Sequence, residues 1–142
     1  MYNIIRHSHS GLMWLIIVML VISVIVSLIA MFKKQETPTP FSKVIFQTTK
    51  WMVYLQFVMG VALLFLSSKV HYETGFMKSG TLRFYGMEHP LLMLVATGLM
   101  AMGLYFAKRK PTSFKKNRSI VVYFSIALII IVMMVPWNTV LA

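Results

Sequence analysis

The chain has 142 residues, of which 58% are hydrophobic and 12% are charged. This composition leaves too little polar surface for a soluble domain and predicts a single membrane domain over residues 1–142. The net charge of +11 does not indicate a nucleic-acid partner, because the cations lie between apolar runs, where they contact lipid headgroups. The absence of cysteine from the sequence excludes disulfides and thiolate metal sites.

Four apolar runs occupy most of the chain, at residues 12–32, 51–68, 90–107 and 120–137. A stretch of roughly 20 apolar residues crosses a hydrocarbon core of about 30 Å. The first run is too long for the apolar region of a signal peptide, so we expect it to be retained as a helix. The sequence therefore predicts an all-α, integral membrane four-helix bundle that contacts the lipid bilayer.

Lysines and arginines in the connections predict the orientation of this bundle. The first and third connections and their flanks contain Lys33, Lys34, Lys43, Lys50, Lys108, Arg109, Lys110, Lys115, Lys116 and Arg118. The opposite side contains Arg6, Lys69, Lys78 and Arg83. Because the more basic loops stay in the cytoplasm, an N-out/C-out protein of the bacterial inner membrane is predicted, with the second connection in the periplasm.

All four histidines, His7, His9, His71 and His89, fall at this outer end. On a helix, His7 and His9 point about 200° apart, so they cannot both face one site. With Ser8 as the N-cap, His9 lies in the first turn and is the one expected to face inward. His71, in the second connection, is either an ordinary interfacial histidine or a third metal ligand or proton relay.

The third helix begins around Gly86-Met87-Glu88-His89-Pro90. A start at residue 88 makes Pro90 an early helical residue and places Glu88 at the positive end of the dipole, with His89 only interfacial. A start near Leu82, with a kink at Pro90, places His89 deeper. The deeper position favours a metal or haem-iron ligand whose second ring nitrogen is oriented by a carbonyl or carboxylate.

Other polar and small residues within the runs have structural explanations. Gln56 is expected to make an interhelical hydrogen bond. Gly103 and Ala107 are small residues four apart, which allow close approach of another helix or of a flat cofactor. The thirteen methionines are mostly interpreted as apolar filler rather than as copper ligands.

Short motifs near the helix ends resemble small four-helix, cytochrome b-like membrane proteins of Bacteroidetes-type bacteria and, more loosely, copper-resistance D-like bundles. These motifs are His9-Ser10-Gly11-Leu12-Met13-Trp14, Tyr54-Leu55-Gln56 followed by Gly60, Arg83-Phe84-Tyr85-Gly86-Met87-Glu88-His89-Pro90, and Val135-Pro136-Trp137. The resemblance implies that His9 and His89 are haem ligands. Related chains tend to have histidine where this chain has Tyr54, so a second site on the opposite leaflet is not implied.

The leading functional hypothesis is therefore haem b-type electron transfer to a redox partner, with His9 and His89 as axial ligands on neighbouring helices. Arg6 and Arg83 are predicted to pair with the haem propionates, because guanidinium binds carboxylates in bidentate fashion. One alternative is a cofactor-free accessory subunit or assembly scaffold of a larger membrane complex. Another is a periplasm-facing copper or zinc site that uses His9, His89 and His71, with Met13, Met87 or Met93.

Overall fold

The computed structural model describes residues 1–141, and Ala142, the last residue of the predicted domain, lies outside them. The described residues form helices α1 (Tyr2–Phe32), α2 (Pro40–Leu66), α3 (Gly80–Arg109), α4 (Ser113–Met134) and a short α5 (Trp137–Val140), with no strand. The first four are long and apolar enough to cross a membrane. The predicted four-helix membrane bundle is confirmed, and its apolar helices contact the bilayer.

The helices extend beyond the apolar runs that predicted them. α1 begins at Tyr2 instead of residue 12, so the predicted N-cap Ser8 lies inside the helix and that prediction was wrong. Thr39 and Thr112 cap α2 and α4 by accepting hydrogen bonds from backbone N–H groups three residues later. Such caps lie in polar sequence outside the hydrocarbon, where hydrophobicity gives no sign of the helix.

The four spans pack as a ring in the order α1, α2, α3, α4. α1 and α3 are consequently diagonal to each other, not neighbours as expected. The most deeply buried side chains, which include Leu20, Met100 and Phe124, fill the centre of this ring. Near the middle of the bundle, the hydroxyl groups of Ser23 and Thr49 lie 3.2 Å apart and join α1 to α2.

α3 and α4 approach each other closely at Gly103 of α3. A Cβ atom at this position would lie 2.6 Å from Cβ of Tyr123 on α4, so no larger residue fits without a shift. The Ser119 hydroxyl also donates a hydrogen bond to the Gly103 carbonyl oxygen, at 3.0 Å. Gly103 was predicted to allow the close approach of a helix or of a flat cofactor, and it allows the close approach of α4.

α3 continues from Gly80 through Pro90, which confirms the alternative early start, although its regular α-helical part begins at His89, next to the other predicted start at residue 88. The helix widens to a π turn over Phe84–Glu88, in which the His89 N–H donates to the Phe84 carbonyl, five residues back. Pro90 has no N–H, so the Gly86 carbonyl loses its usual helical donor. The Tyr72 hydroxyl takes that place, with an O···O distance of 2.8 Å.

Candidate functional site

His9 and His89 come together at one end of the bundle. Their ring centroids lie 6.5 Å apart, with ring planes at 73°. Both side chains are half-buried. Because α1 and α3 are diagonal, the two imidazoles approach across the axis of the bundle rather than across an interface between adjacent helices.

The orientation of the His89 ring is fixed by the end of α4. Its Nδ1 lies 2.8 Å from the carbonyl oxygen of Met134, the last residue of that helix. A carbonyl oxygen only accepts, so Nδ1 carries the proton and the lone pair of the neutral ring is on Nε2. The carbonyl is available because α4 ends here, just before Pro136, which cannot extend the ladder of hydrogen bonds.

The surroundings of His9 contain polar atoms without partners. Gln56 on α2 donates from Nε2 to the backbone carbonyl of His9 at 2.8 Å, which confirms the predicted interhelical hydrogen bond. Within residues 1–141, His9 Nδ1 and Gln56 Oε1 are buried and have no hydrogen-bond partner. A Cβ atom at Gly60 would lie 3.3 Å from His9 Cε1, so the lack of a side chain there makes room for this ring.

The two predicted arginines have different environments. Arg83 pairs with Glu88, and its Nη1 also donates to the Met77 carbonyl at 3.1 Å. Arg6 is exposed on the first turns of α1 and forms no ion pair with the described acids. The structure therefore leaves Arg6 available for a ligand, whereas Arg83 already has a protein partner across the π turn.

The remaining histidines do not join the pair. His7 is exposed. His71 is also exposed, in the connection between α2 and α3. Across the part of the chain that the structure describes, no group of three or more His, Cys, Asp or Glu side chains is arranged to hold a metal ion. The third-ligand role expected for His71 therefore has no support from the structure.

Two contributors to the site were missed by sequence reasoning. The Phe84 ring packs 5.6 Å from the His89 ring, in a position set by the π turn. The Met134 carbonyl is a backbone group, and its only sequence signal is Pro136 two residues later. Trp137, beyond that proline, donates from Nε1 to the Val132 carbonyl at 2.9 Å, so a second carbonyl at the end of α4 is also satisfied.

Comparison with known proteins adds no relative: the chain matches no protein-family model, no curated protein and no solved structure. The site thus holds two imidazoles close together inside a helix bundle, one of them with a fixed tautomer, and imidazole nitrogens are donor groups of the kind that transition metals bind.

Proposed function

We propose that this protein binds haem b between His9 and His89 and transfers electrons in the membrane. The observation that carries the proposal is the 6.5 Å separation of the two ring centroids. With metal–nitrogen bonds of about 2 Å, two imidazoles that bind one ion from opposite sides have ring centres about 6 Å apart. The spacing of the pair agrees with two residues that would hold one iron between them.

The residues around the pair fit this cofactor in three respects. The donors would be two imidazoles, which are common protein ligands of b-type haem iron. The hydrogen bond from His89 Nδ1 to the Met134 carbonyl leaves Nε2 as the donor atom and raises its basicity. At His9, the lack of a side chain on Gly60 leaves room for the imidazole ring.

The chain's own groups orient the ligands and limit their movement. Gln56 joins α2 to the backbone of His9 and so fixes the height of that residue in the bundle. Phe84 packs beside the ring of His89. When bound, haem b supplies one-electron oxidation and reduction at its iron. Arg6, the free arginine at this end, is the better partner for a propionate, because Arg83 would have to leave Glu88.

The distribution of charge supports one orientation of the protein in the membrane. The connections α1–α2 and α3–α4 are at the end of the bundle opposite the histidine pair, and together with the helix ends beside them they carry ten of the fourteen cations. Basic connections stay in the cytoplasm. This supports placing the histidine pair at the periplasmic face of a bacterial inner membrane, where a periplasmic redox partner has access to it.

The direct experiment is to purify the protein in mild detergent from cells that make haem, and to quantify haem by the pyridine haemochrome together with iron, copper and zinc. The proposal predicts one haem and one iron per chain. Folded protein that contains no haem overturns the proposal. In that case, stoichiometric copper or zinc favours the metal site, and the absence of all three metals favours the accessory subunit or scaffold.

A further inference from the structure

A second candidate site lies at the end of the bundle opposite the histidines. Between α3 and α4 there is a groove of about 440 Å³, within the range typical of ligand sites. Lys110, Lys115 and Arg118 line its outer part. Phe106, Val122 and Tyr123 line the part of the groove nearer the middle of the bundle.

The three cations of the groove form no ion pair among the described residues, not even with Glu36, the acid at this end of the bundle. Among the described residues the only ion pair is Arg83–Glu88, at the other end of the bundle, and the whole sequence contains three acids. Two neighbouring cations, by contrast, already have partners within the protein. Arg109 lies over the Tyr105 ring at 4.4 Å, and Lys116 Nζ donates to the Ala107 carbonyl at 3.3 Å. Three cations around one groove repel one another unless an anion lies between them.

The groove changes from cationic to apolar along the direction of the helices. Lys115, Arg118 and Val122 recur at the spacing of one helix face, so they form a continuous stripe on α4. Seven residues separate the first from the last, which is about 10 Å along the axis. The stripe therefore runs from the charged end of the helix into its membrane-spanning part, with the Phe106 and Tyr123 rings 5.8 Å apart alongside.

The groove is held in shape by the packing of α3 on α4. The Tyr123 side chain lies so close to Gly103 that α3 and α4 have no space to approach each other further. Ser119, which also lines the groove, is held by its hydrogen bond to the Gly103 carbonyl. A ligand therefore enters a site that needs little reorganisation.

We propose that this groove binds one anionic phospholipid. Its phosphate lies among Lys110, Lys115 and Arg118, and an acyl chain follows Phe106 and Val122. Basic pockets between membrane helices recognise acidic headgroups, and the apolar wall distinguishes a lipid from a free phosphate ion. The proposal is independent of the histidine site and of any cofactor bound there.

Native mass spectrometry of the purified protein with added phosphatidylglycerol or phosphatidylcholine of equal chain length tests this. We expect one retained phosphatidylglycerol per chain and at least about tenfold weaker retention of phosphatidylcholine. The triple variant Lys110→Gln, Lys115→Gln, Arg118→Gln should lose this preference. The matched control Lys33→Gln, Lys43→Gln, Lys108→Gln removes the same charge at the same end, outside the groove, and should keep it.

A second variant tests the apolar part without changing any charge. Val122→Trp fills the groove and should also lower retention of phosphatidylglycerol, which keeps the test valid if the triple variant fails to fold. Equal losses in the groove and control triples would overturn the proposal, because general charge attraction would then explain the binding. Displacement of the lipid by inorganic phosphate would overturn the lipid assignment, and so would a groove variant that changes only self-association.

Discussion

Nδ1 of His89 donates a hydrogen bond to the carbonyl oxygen of Met134, so a ring on α3 is oriented by the C-terminal end of α4. This contact links the break before Pro136 to the chemistry of the histidine. Because α4 ends at Met134, the carbonyl of this residue is available as an acceptor. Its hydrogen bond with Nδ1 then fixes the orientation of the His89 ring. The Nε2 atom that results is the one available to a metal.

Replacement of Gly60 by alanine separates effects on the site from effects on the fold. A Cβ atom there lies 3.3 Å from His9 Cε1, so the ring must shift. Alanine also raises helix propensity by about 0.8–1 kcal/mol. We therefore expect unchanged or higher stability together with weaker or altered haem binding, measured by thermal unfolding and visible absorption.

Gly98→Ala is the matched control, because a Cβ atom at that position meets nothing within 4 Å. It should gain stability with an unchanged absorption spectrum. If the Gly60 and Gly98 variants bind haem equally well, the space beside His9 has no role in the site.

Gln56→Leu removes the hydrogen bond to the His9 carbonyl. We expect the free energy of unfolding in detergent to fall by about 0.6 kcal/mol and by no more than about 2 kcal/mol, because interhelical hydrogen bonds in membranes contribute modestly. Gln47→Leu, at an exposed position on the same helix, should cause no change. Complete loss of cofactor with the fold intact would show that Gln56 contacts the ligand itself.

Tyr72→Phe removes the donor that replaces the N–H missing at Pro90. The Gly86 carbonyl is then left without a partner in a buried turn, at a cost of about 1 kcal/mol. Tyr105→Phe, on a half-exposed ring whose hydroxyl makes no hydrogen bond within residues 1–141, is the control and should be neutral. Thermal unfolding in detergent measures both, and equal stabilities would show that the hydroxyl does not support the π turn.

Topology is checked with a reporter that is active only in the periplasm. Fusion after Ala142 should give a signal, and insertion between α3 and α4, within residues 110–112, should not. This expectation rests on the cations in and beside that connection, because basic loops stay in the cytoplasm. The opposite pattern would place the histidine pair in the cytoplasm and remove the proposed periplasmic redox partner.

The fold was predictable from the sequence because apolar runs long enough to cross a bilayer have few alternatives to helices. That His7 and His9 lie on different faces was also predictable from helical spacing, but the cap at Ser8 that selected His9 as the inward one was not correct. The diagonal placement of α1 and α3 was not predictable, because periodicity defines which face is buried but not which helix it meets. The roles of Met134 and Gly60 were hidden for a related reason: one acts through its backbone and the other through a missing side chain.

The most direct test of the central claim is the visible absorption spectrum of the purified wild-type protein beside His9→Ala, His89→Ala and His7→Ala. Shared axial ligation predicts a sharp Soret band with reduced α and β bands of a low-spin b-type haem in the wild type and in His7→Ala, whose side chain is exposed. Loss of either axial imidazole opens a coordination position, so His9→Ala and His89→Ala should each become high-spin or colourless. A colourless, folded wild type, or a low-spin spectrum that survives both single replacements, would contradict ligation by this pair.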